Sequence, residues 1–179
     1  MSKQIEVTLS GVGGQGLILC GTLLGEAAAI YDKKQATLTS EYGVETRGTF
    51  AKSDVIVSDD EIYFPDATHQ NLVLCLHQIA YKRYAGNIPD DCVLVYDEDQ
   101  VEPNIEAKHK QIGFPITTMA RELGNAATAN IIAMGIVSKM TGLVTPDAAK
   151  HAVSNFFASK SAKIVALNHK AFDLGYEKA

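Results

Sequence analysis

Ile5-Glu-Val-Thr-Leu-Ser-Gly-Val-Gly-Gly-Gln-Gly16, running on into Leu17-Ile-Leu-Cys-Gly-Thr-Leu-Leu-Gly-Glu-Ala-Ala-Ala-Ile30, is the stretch whose reading decides the fold. Residues 5–10 alternate apolar and polar side chains, which is the period of a strand. Gly11, Gly13 and Gly16 satisfy GxGxxG, Gly14 is an additional glycine, and a helix is expected from Leu17 to about Tyr31. Glycine accepts positive φ. Its missing Cβ also lets an anion approach the backbone N–H groups at the positive end of a helix. Gln15 adds an uncharged amide donor. Three readings of the turn stay open on these residues: contact with a phosphate or nucleotide, a purely structural turn, or a dinucleotide enzyme. The third calls for an acidic residue near the end of the second strand. Glu41 is in that region, but within the loop that follows.

Outward from this opening, extended segments are expected at 36–39, 52–57, 61–64, 71–76, 92–96 and 112–115. Helices are expected at 78–84, 119–123, 126–140 and 147–157, with one short helix in the tail 161–179. Thr145 can cap the helix after it, with Pro146 at the first helical position. Strands alternating with helices predict an α/β fold, a three-layer α/β/α sandwich around a mostly parallel or mixed sheet, with a Rossmann-like glycine turn after strand 1. The segments between 50 and 64 have no crossover helix, so an antiparallel pair is expected there. At 179 residues, 1–179 reads as a single domain. Stretches 17–30 and 126–138 have few strongly polar positions, and part of at least one is expected to be covered by another chain. Gly21 and Gly25 share one helical face and suit close approach to the sheet or a neighbour.

Composition narrows the function classes. Hydrophobic residues make up 46% of the chain and charged residues 21%, ordinary globular values. A formal charge of -5 and the lack of basic blocks argue against nucleic acid as a partner. No apolar run has the length of a membrane span and the N-terminus does not read as a signal peptide, so a cytoplasmic location is expected. Cys20, Cys75 and Cys92 are widely spaced within apolar segments, as buried thiols are, and offer no zinc or iron–sulphur spacing. Among the five histidines there is no HxxxH or HExxH pattern, so no metal site is expected.

Three motifs together carry a resemblance: Gly11-Val-Gly-Gly-Gln-Gly16, the loop Glu41-Tyr-Gly-Val-Glu-Thr-Arg-Gly48, and Asn125–Gly135 with Asn130 and Gly135 at its end. The chain resembles the gamma subunit of the 2-oxoacid:ferredoxin oxidoreductases from Ile5 to the Asn168–Gly175 tail. Ser58-Asp-Asp-Glu-Ile62 and Pro115–Ala120 extend the likeness. Tyr42-Gly43 and Glu61-Ile-Tyr-Phe-Pro65 look most like the 2-oxoglutarate branch, although pyruvate and branched-chain relatives share much of the pattern. The resemblance implies an accessory subunit, inactive alone, of a complex that makes acyl-CoA, CO2 and reduced ferredoxin. Thiamine diphosphate, Mg2+ and iron–sulphur clusters would lie on partner alpha, beta and ferredoxin-like delta subunits, with coenzyme A as co-substrate of the whole. Self-association of the isolated chain stays open. Two positions depart from the common form: Thr49-Phe50 after Gly48, and His77 where many relatives have asparagine.

The expected sites follow. No catalytic residue is assigned. Gly11, Gly13, Gly14, Gln15 and Gly16 are the cofactor-binding candidates, and Tyr42, Glu45, Arg47, His77 and Asn130 are candidates for contact with a partner or the substrate region. Glu45 and Arg47 are two apart and would share a face in an extended segment, where arginine offers a planar fork to a carboxylate or phosphate. His77 ends a strand, where open α/β folds place ligands. Asn130 is an amide in an apolar helix and needs a partner, a loop carbonyl or another chain. Asp97 and Asp99, at a strand end, have the chemistry to meet a metal but read rather as a solvated turn.

Overall fold

The computed structural model describes residues 4–43, 48–104 and 106–179. Its strands are β1 (Ile5–Val12), β2 (Gln35–Tyr42), β3 (Phe50–Ser58), β4 (Leu72–Cys75), β5 (Val93–Asp97) and β6 (Lys110–Phe114), in the sheet order β2-β3-β1-β4-β5-β6. β1, β4, β5 and β6 run parallel, while β3 is antiparallel to both of its neighbours. The sheet is mixed, as expected, but the antiparallel partner differs. β3 pairs on one edge with β1, from Val12 opposite Phe50 to Ile5 opposite Val57, and on the other with β2 along its length. With both edges occupied, β3 leaves no place for 61–64, which is not a strand.

The helices are α1 (Leu17–Glu26), α2 (Gln78–Tyr84), α3 (Ile116–Glu122), α4 (Ala129–Thr141), α5 (Pro146–Phe156) and α6 (Ala162–Lys178). α1 runs on through a wider π turn at Ala27–Tyr31, and a tight turn at Ala126–Thr128 leads into α4. Thr145 caps α5 as expected, accepting from Ala148 N–H at 3.2 Å. The tail is a helix of 17 residues rather than a short one. Ser161 starts it, and Asn168, Ala171, Phe172 and Gly175 put one buried stripe along it.

β1 shows how the layers form. Ile5, Val7 and Leu9 enter the larger apolar core with α1, α4 and α5. The alternate side chains Glu6, Thr8 and Ser10 are also buried but polar, so each needs a partner. Thr8 donates to Asp54 at 2.6 Å and Ser10 to the Leu74 carbonyl at 2.6 Å. Glu6 accepts from the N–H groups of Thr68 and His69 at 2.6 and 2.7 Å. A smaller cluster on the α2 side joins Val73, Cys75 and Leu94 to Ala80, Tyr81 and Ile88.

α4 is covered by its own chain. Residues 130–138 are all buried within this chain, and α6 is its main cover. The two helices meet at glycines: a Cβ on Gly175 would run into the Ile132 carbonyl, and one on Gly135 into the Phe172 carbonyl. α1 is different, for Ile18 and Ile30 along it are exposed. Gly21 packs against the sheet, where a Cβ would meet Leu38 Cδ1 at 2.8 Å and Ser53 at 3.0 Å, but Gly25 faces open space.

Candidate functional site

In this sheet the connections leave β1 in one direction, through α1 to β2, and continue from β4 in the other, toward β5 and β6. The crevice between the carboxyl ends of β1 and β4 is therefore the switch point at which open α/β folds accept ligands. The glycine turn stands there, with positive φ at Gly14 (97°) and Gly16 (74°). Gly16 caps α1 in the left-handed conformation, and its carbonyl takes the first helical bond, from Cys20 N–H at 3.0 Å. The N–H groups ahead of Cys20 in that first turn have no partner inside the helix by geometry.

Gln15 holds the turn in shape. Its Oε1 accepts from Val12 N–H at 2.8 Å and its Nε2 donates to the Leu76 carbonyl at 2.9 Å. The amide read in the sequence as a ligand donor thus ties the turn to the end of β4. Gly11 has no room for a Cβ because the Gln15 amide oxygen fills that space. Gly13 N–H donates to the Thr49 carbonyl at 2.9 Å, linking the turn to the start of β3. Gly43 makes room for the Thr49 side chain, since a Cβ on it would lie 2.7 Å from Thr49 Oγ1.

Two hollows flank the turn. One, of about 320 Å³, is lined by Gly14, Gln15, Gly16, Leu76, Asp97, Gln100, Thr117, Ala126, Ala127, Ala129 and Asn130. The other, of about 450 Å³, is more apolar and lined by Val12, Gly13, Gly14, Gly16, Leu17, Ile18, Leu19, Tyr42 and Ala51. Asn130, 6% exposed, donates from Nδ2 to the Gly16 carbonyl at 3.3 Å, the loop carbonyl expected of it. Among the described residues its Oδ1 has no hydrogen-bond partner. Tyr42, at the end of β2, is 67% exposed in the apolar hollow.

In the acidic turn after β5, Asp99 is exposed as expected but Asp97 is buried. Asp97 accepts from Thr117 Oγ1 at 2.5 Å, and Asp99 accepts from Thr118 N–H at 2.6 Å and Thr118 Oγ1 at 2.9 Å, so the pair holds the first turn of α3. Burial raises the Asp97 pKa above the usual carboxylate value, against the bonds from Thr117 and Asp99. No periodicity in the sequence pointed to Asp97, Gln100 or Thr117 as walls of the crevice. The signal available was the pair of threonines twenty and nineteen residues beyond the two aspartates.

The remaining expected residues are placed separately. His77 caps α2, its Nδ1 accepting from Ile79 N–H at 3.2 Å. Glu45 and Arg47 lie outside the described residues. Glu41 belongs to β2 rather than to a loop and pairs with Lys52 at 3.7 Å and Arg83 at 3.8 Å. A dinucleotide site needs this acid on the strand beside β1, and here β3 stands between β1 and β2. That spacing, about 10 Å for two strands, disfavours the dinucleotide enzyme.

Fold and crevice define an α/β domain with a glycine-turn switch point walled by backbone, amides, Thr117 and the Asp97 carboxylate. A family model described as "Pyruvate ferredoxin/flavodoxin oxidoreductase" matches residues 6–178. The chain belongs to this family, as a gamma subunit of its 2-oxoacid:ferredoxin oxidoreductase members. It is 37% identical over 179 residues to "2-oxoglutarate synthase subunit KorC" of Methanocaldococcus jannaschii, covering 97% of this chain and 93% of that one. Among solved structures it is similar to the keto/oxoacid ferredoxin oxidoreductase gamma subunit of Geobacter sulfurreducens, with a TM-score of 0.85 and 37% identity over 98% of this chain and 96% of the other. The 2-oxoglutarate:ferredoxin oxidoreductase of Magnetococcus marinus shares the fold, with a TM-score of 0.89 at 22% identity, over 99% of this chain and 32% of that one.

Proposed function

We propose that this chain, as one domain, works in the cytoplasm within a 2-oxoglutarate:ferredoxin oxidoreductase and forms one wall of the coenzyme A site. Alpha and beta subunits, with a ferredoxin-like delta subunit, would complete the assembly. The observation that carries the reading is the incomplete crevice. It offers the start of α1, two glycines without Cβ and the unpartnered Asn130 Oδ1 beside the Asp97 carboxylate, and among the described residues neither Lys nor Arg lines either hollow. A polyanion needs cations. Arg47, two residues before Thr49 in sequence, is a candidate from this chain, and partner chains would supply the rest. The similarity to a 2-oxoglutarate synthase subunit supports the choice of 2-oxoacid. The Magnetococcus marinus enzyme is described with 2-oxoglutarate, coenzyme A and succinyl-CoA bound, which supports the co-substrate.

Thiamine diphosphate and the clusters are assigned to partner chains, the clusters on donor chemistry. Cluster ligands are thiolates. Burial pushes the Cys20 and Cys75 thiols up to about 12 and Cys92 to about 11, which does not suit them to ligation. Among the described residues no three His, Cys, Asp or Glu side chains form a group that could hold a metal ion. The chain's own part is to bind and orient. The glycine turn would seat an anionic or amide-bearing part of coenzyme A, Asn130 Oδ1 would accept from an N–H or O–H of it, and Tyr42 would cover its apolar portion. Glu45 and His77 remain candidates for contact with partner chains.

The test uses the assembled enzyme with Gly14→Asn and Gly14→Asp. Gly14 has no atom within 4 Å of its missing Cβ, and both side chains tolerate left-handed backbone better than most. Both have similar shape and differ in charge. The expected result is a KM for coenzyme A raised several-fold more by Asp than by Asn, with the KM for 2-oxoglutarate unchanged. Equal effects of the two would remove the turn from the anion site. Turnover of pyruvate in preference to 2-oxoglutarate by the native assembly would overturn the substrate assignment.

A further inference from the structure

The connection from β3 to β4, residues 59–71, is long for a loop without regular structure, and loops of that length are usually functional. Its base is fixed. Asp60 N–H donates to Ser58 Oγ at 3.1 Å, Glu6 receives the N–H groups of Thr68 and His69, and His69 pairs with Asp91 at 3.0 Å. Its tip holds Tyr63 at 88% and Phe64 at 59% exposure, followed by Pro65. Asp59, Asp60, Glu61 and Asp66 surround them, all exposed, and no Lys or Arg occurs between Lys52 and Lys82. Two adjacent aromatic rings held out on an anchored base are the side chains that dominate binding energy when covered. The turn crevice does not include any of them.

We propose that this loop is a docking peg, and that its occupant is another subunit of the assembly with an apolar socket rimmed by lysine and arginine. The acidic frame argues for that partner. Four carboxylates in a stretch of sequence without Lys or Arg repel a second copy of the same loop and complement a basic rim, steering association and fixing its orientation. The inference rests on the reading of the chain as a subunit of a heteromeric enzyme.

The test co-expresses the full chain with its partner chains and measures their association as a function of salt. The Tyr63→Ser/Phe64→Ser variant should weaken assembly on the order of tenfold or more, since two buried aromatic anchors are lost. The Asp59→Asn/Asp60→Asn/Glu61→Gln/Asp66→Asn variant should lose the salt-sensitive part of the affinity. Both isolated variants should melt with the parent, because the altered side chains are exposed. Hydroxyl-radical footprinting gives a readout without substitution: Tyr63 and Phe64 should be protected on assembly. Unchanged oxidation of both rings in the complex would overturn the proposal, as would parental affinity in the aromatic variant. A dimer of the isolated chain that the aromatic variant splits would assign the peg to a second copy instead. Failure of the parent chain to assemble with any other would overturn the subunit reading and the peg with it.

Discussion

At the scale of single residues, the glycine turn separates two effects that one motif merges. Gly14 and Gly16 both have positive φ, but only Gly16 is enclosed, its Cβ position occupied by the Asn130 amide. Gly14→Ala should cost about 1 kcal/mol from backbone strain alone. Gly16→Ala should cost about 2 kcal/mol or more, adding the displaced side chain. Urea titrations of the two variants check the difference. His69 offers a second test. Its bond to Asp91, then the charge of Asp91, raises the histidine pKa above its ordinary 6.5, and the Asp91 carboxyl is lowered chiefly by the same bond. The His69 part of any stabilisation is full below the unfolded histidine value and is lost as pH rises through the folded one. The Asp91 part is present above the unfolded carboxylate value and is lost as pH falls through the folded one. Because both side chains are exposed, the effect on stability is small. Nuclear magnetic resonance titration should show His69 above its ordinary value and returning to it in Asp91→Asn.

At the scale of elements, α4 and α6 depend on a contact between backbones. Gly175→Ala would drive a methyl into the Ile132 carbonyl, so α6 must move away from α4. Overpacking of this kind costs about 3 kcal/mol, and thermal unfolding of the variant should show the fall. Alanine is the better helix former, so a rise in stability instead would mean that the helices are farther apart. The elements also show what could be read from sequence. β1, the turn and α1 were legible because alternation, glycine spacing and an apolar run agree within twenty-six residues. The antiparallel insertion of β3 between β1 and β2 was not, because strand order is set by which edges meet after collapse and leaves no local pattern. The segment 61–64 was misread for the same reason: Ile62-Tyr63-Phe64 has the composition of a strand, but no edge was left to receive it. The long α6 was underestimated because its buried stripe contains Asn168, Ala171 and Gly175, small or polar residues that acquire meaning only opposite α4.

At the scale of the whole molecule, the two apolar helices part company. α4 is enclosed by this chain, whereas α1 and β2 leave an exposed strip that includes Ile18, Ile30 and Leu38. Hydrogen exchange should therefore gain protection on assembly at α1, its following turn or β2, with α4 already slow in the isolated chain. Equal gains in α4 would mean that its internal cover opens when the chain is alone. The cysteines report on the same enclosure. With thiols buried and raised to about 11 or 12, Cys20, Cys75 and Cys92 should resist alkylation at pH 8 in the native chain and all react in urea. Of the crevice, the glycines and Asn130 were legible as candidates. Asp97, Gln100 and Thr117 were not, since they converge only when β5, the turn after it and α3 come together.

The Gln15 amide has a consequence for the thermodynamics of whatever docks beside it. By joining Val12 N–H to the Leu76 carbonyl, it fixes the turn before any ligand arrives. The conformational entropy of ordering the turn is then lost during folding rather than at the moment of association, and a rigid rim binds with a smaller entropic penalty. Calorimetry on Gln15→Ala should show this as a more unfavourable binding entropy, because the loosened turn has to be ordered again each time a ligand enters.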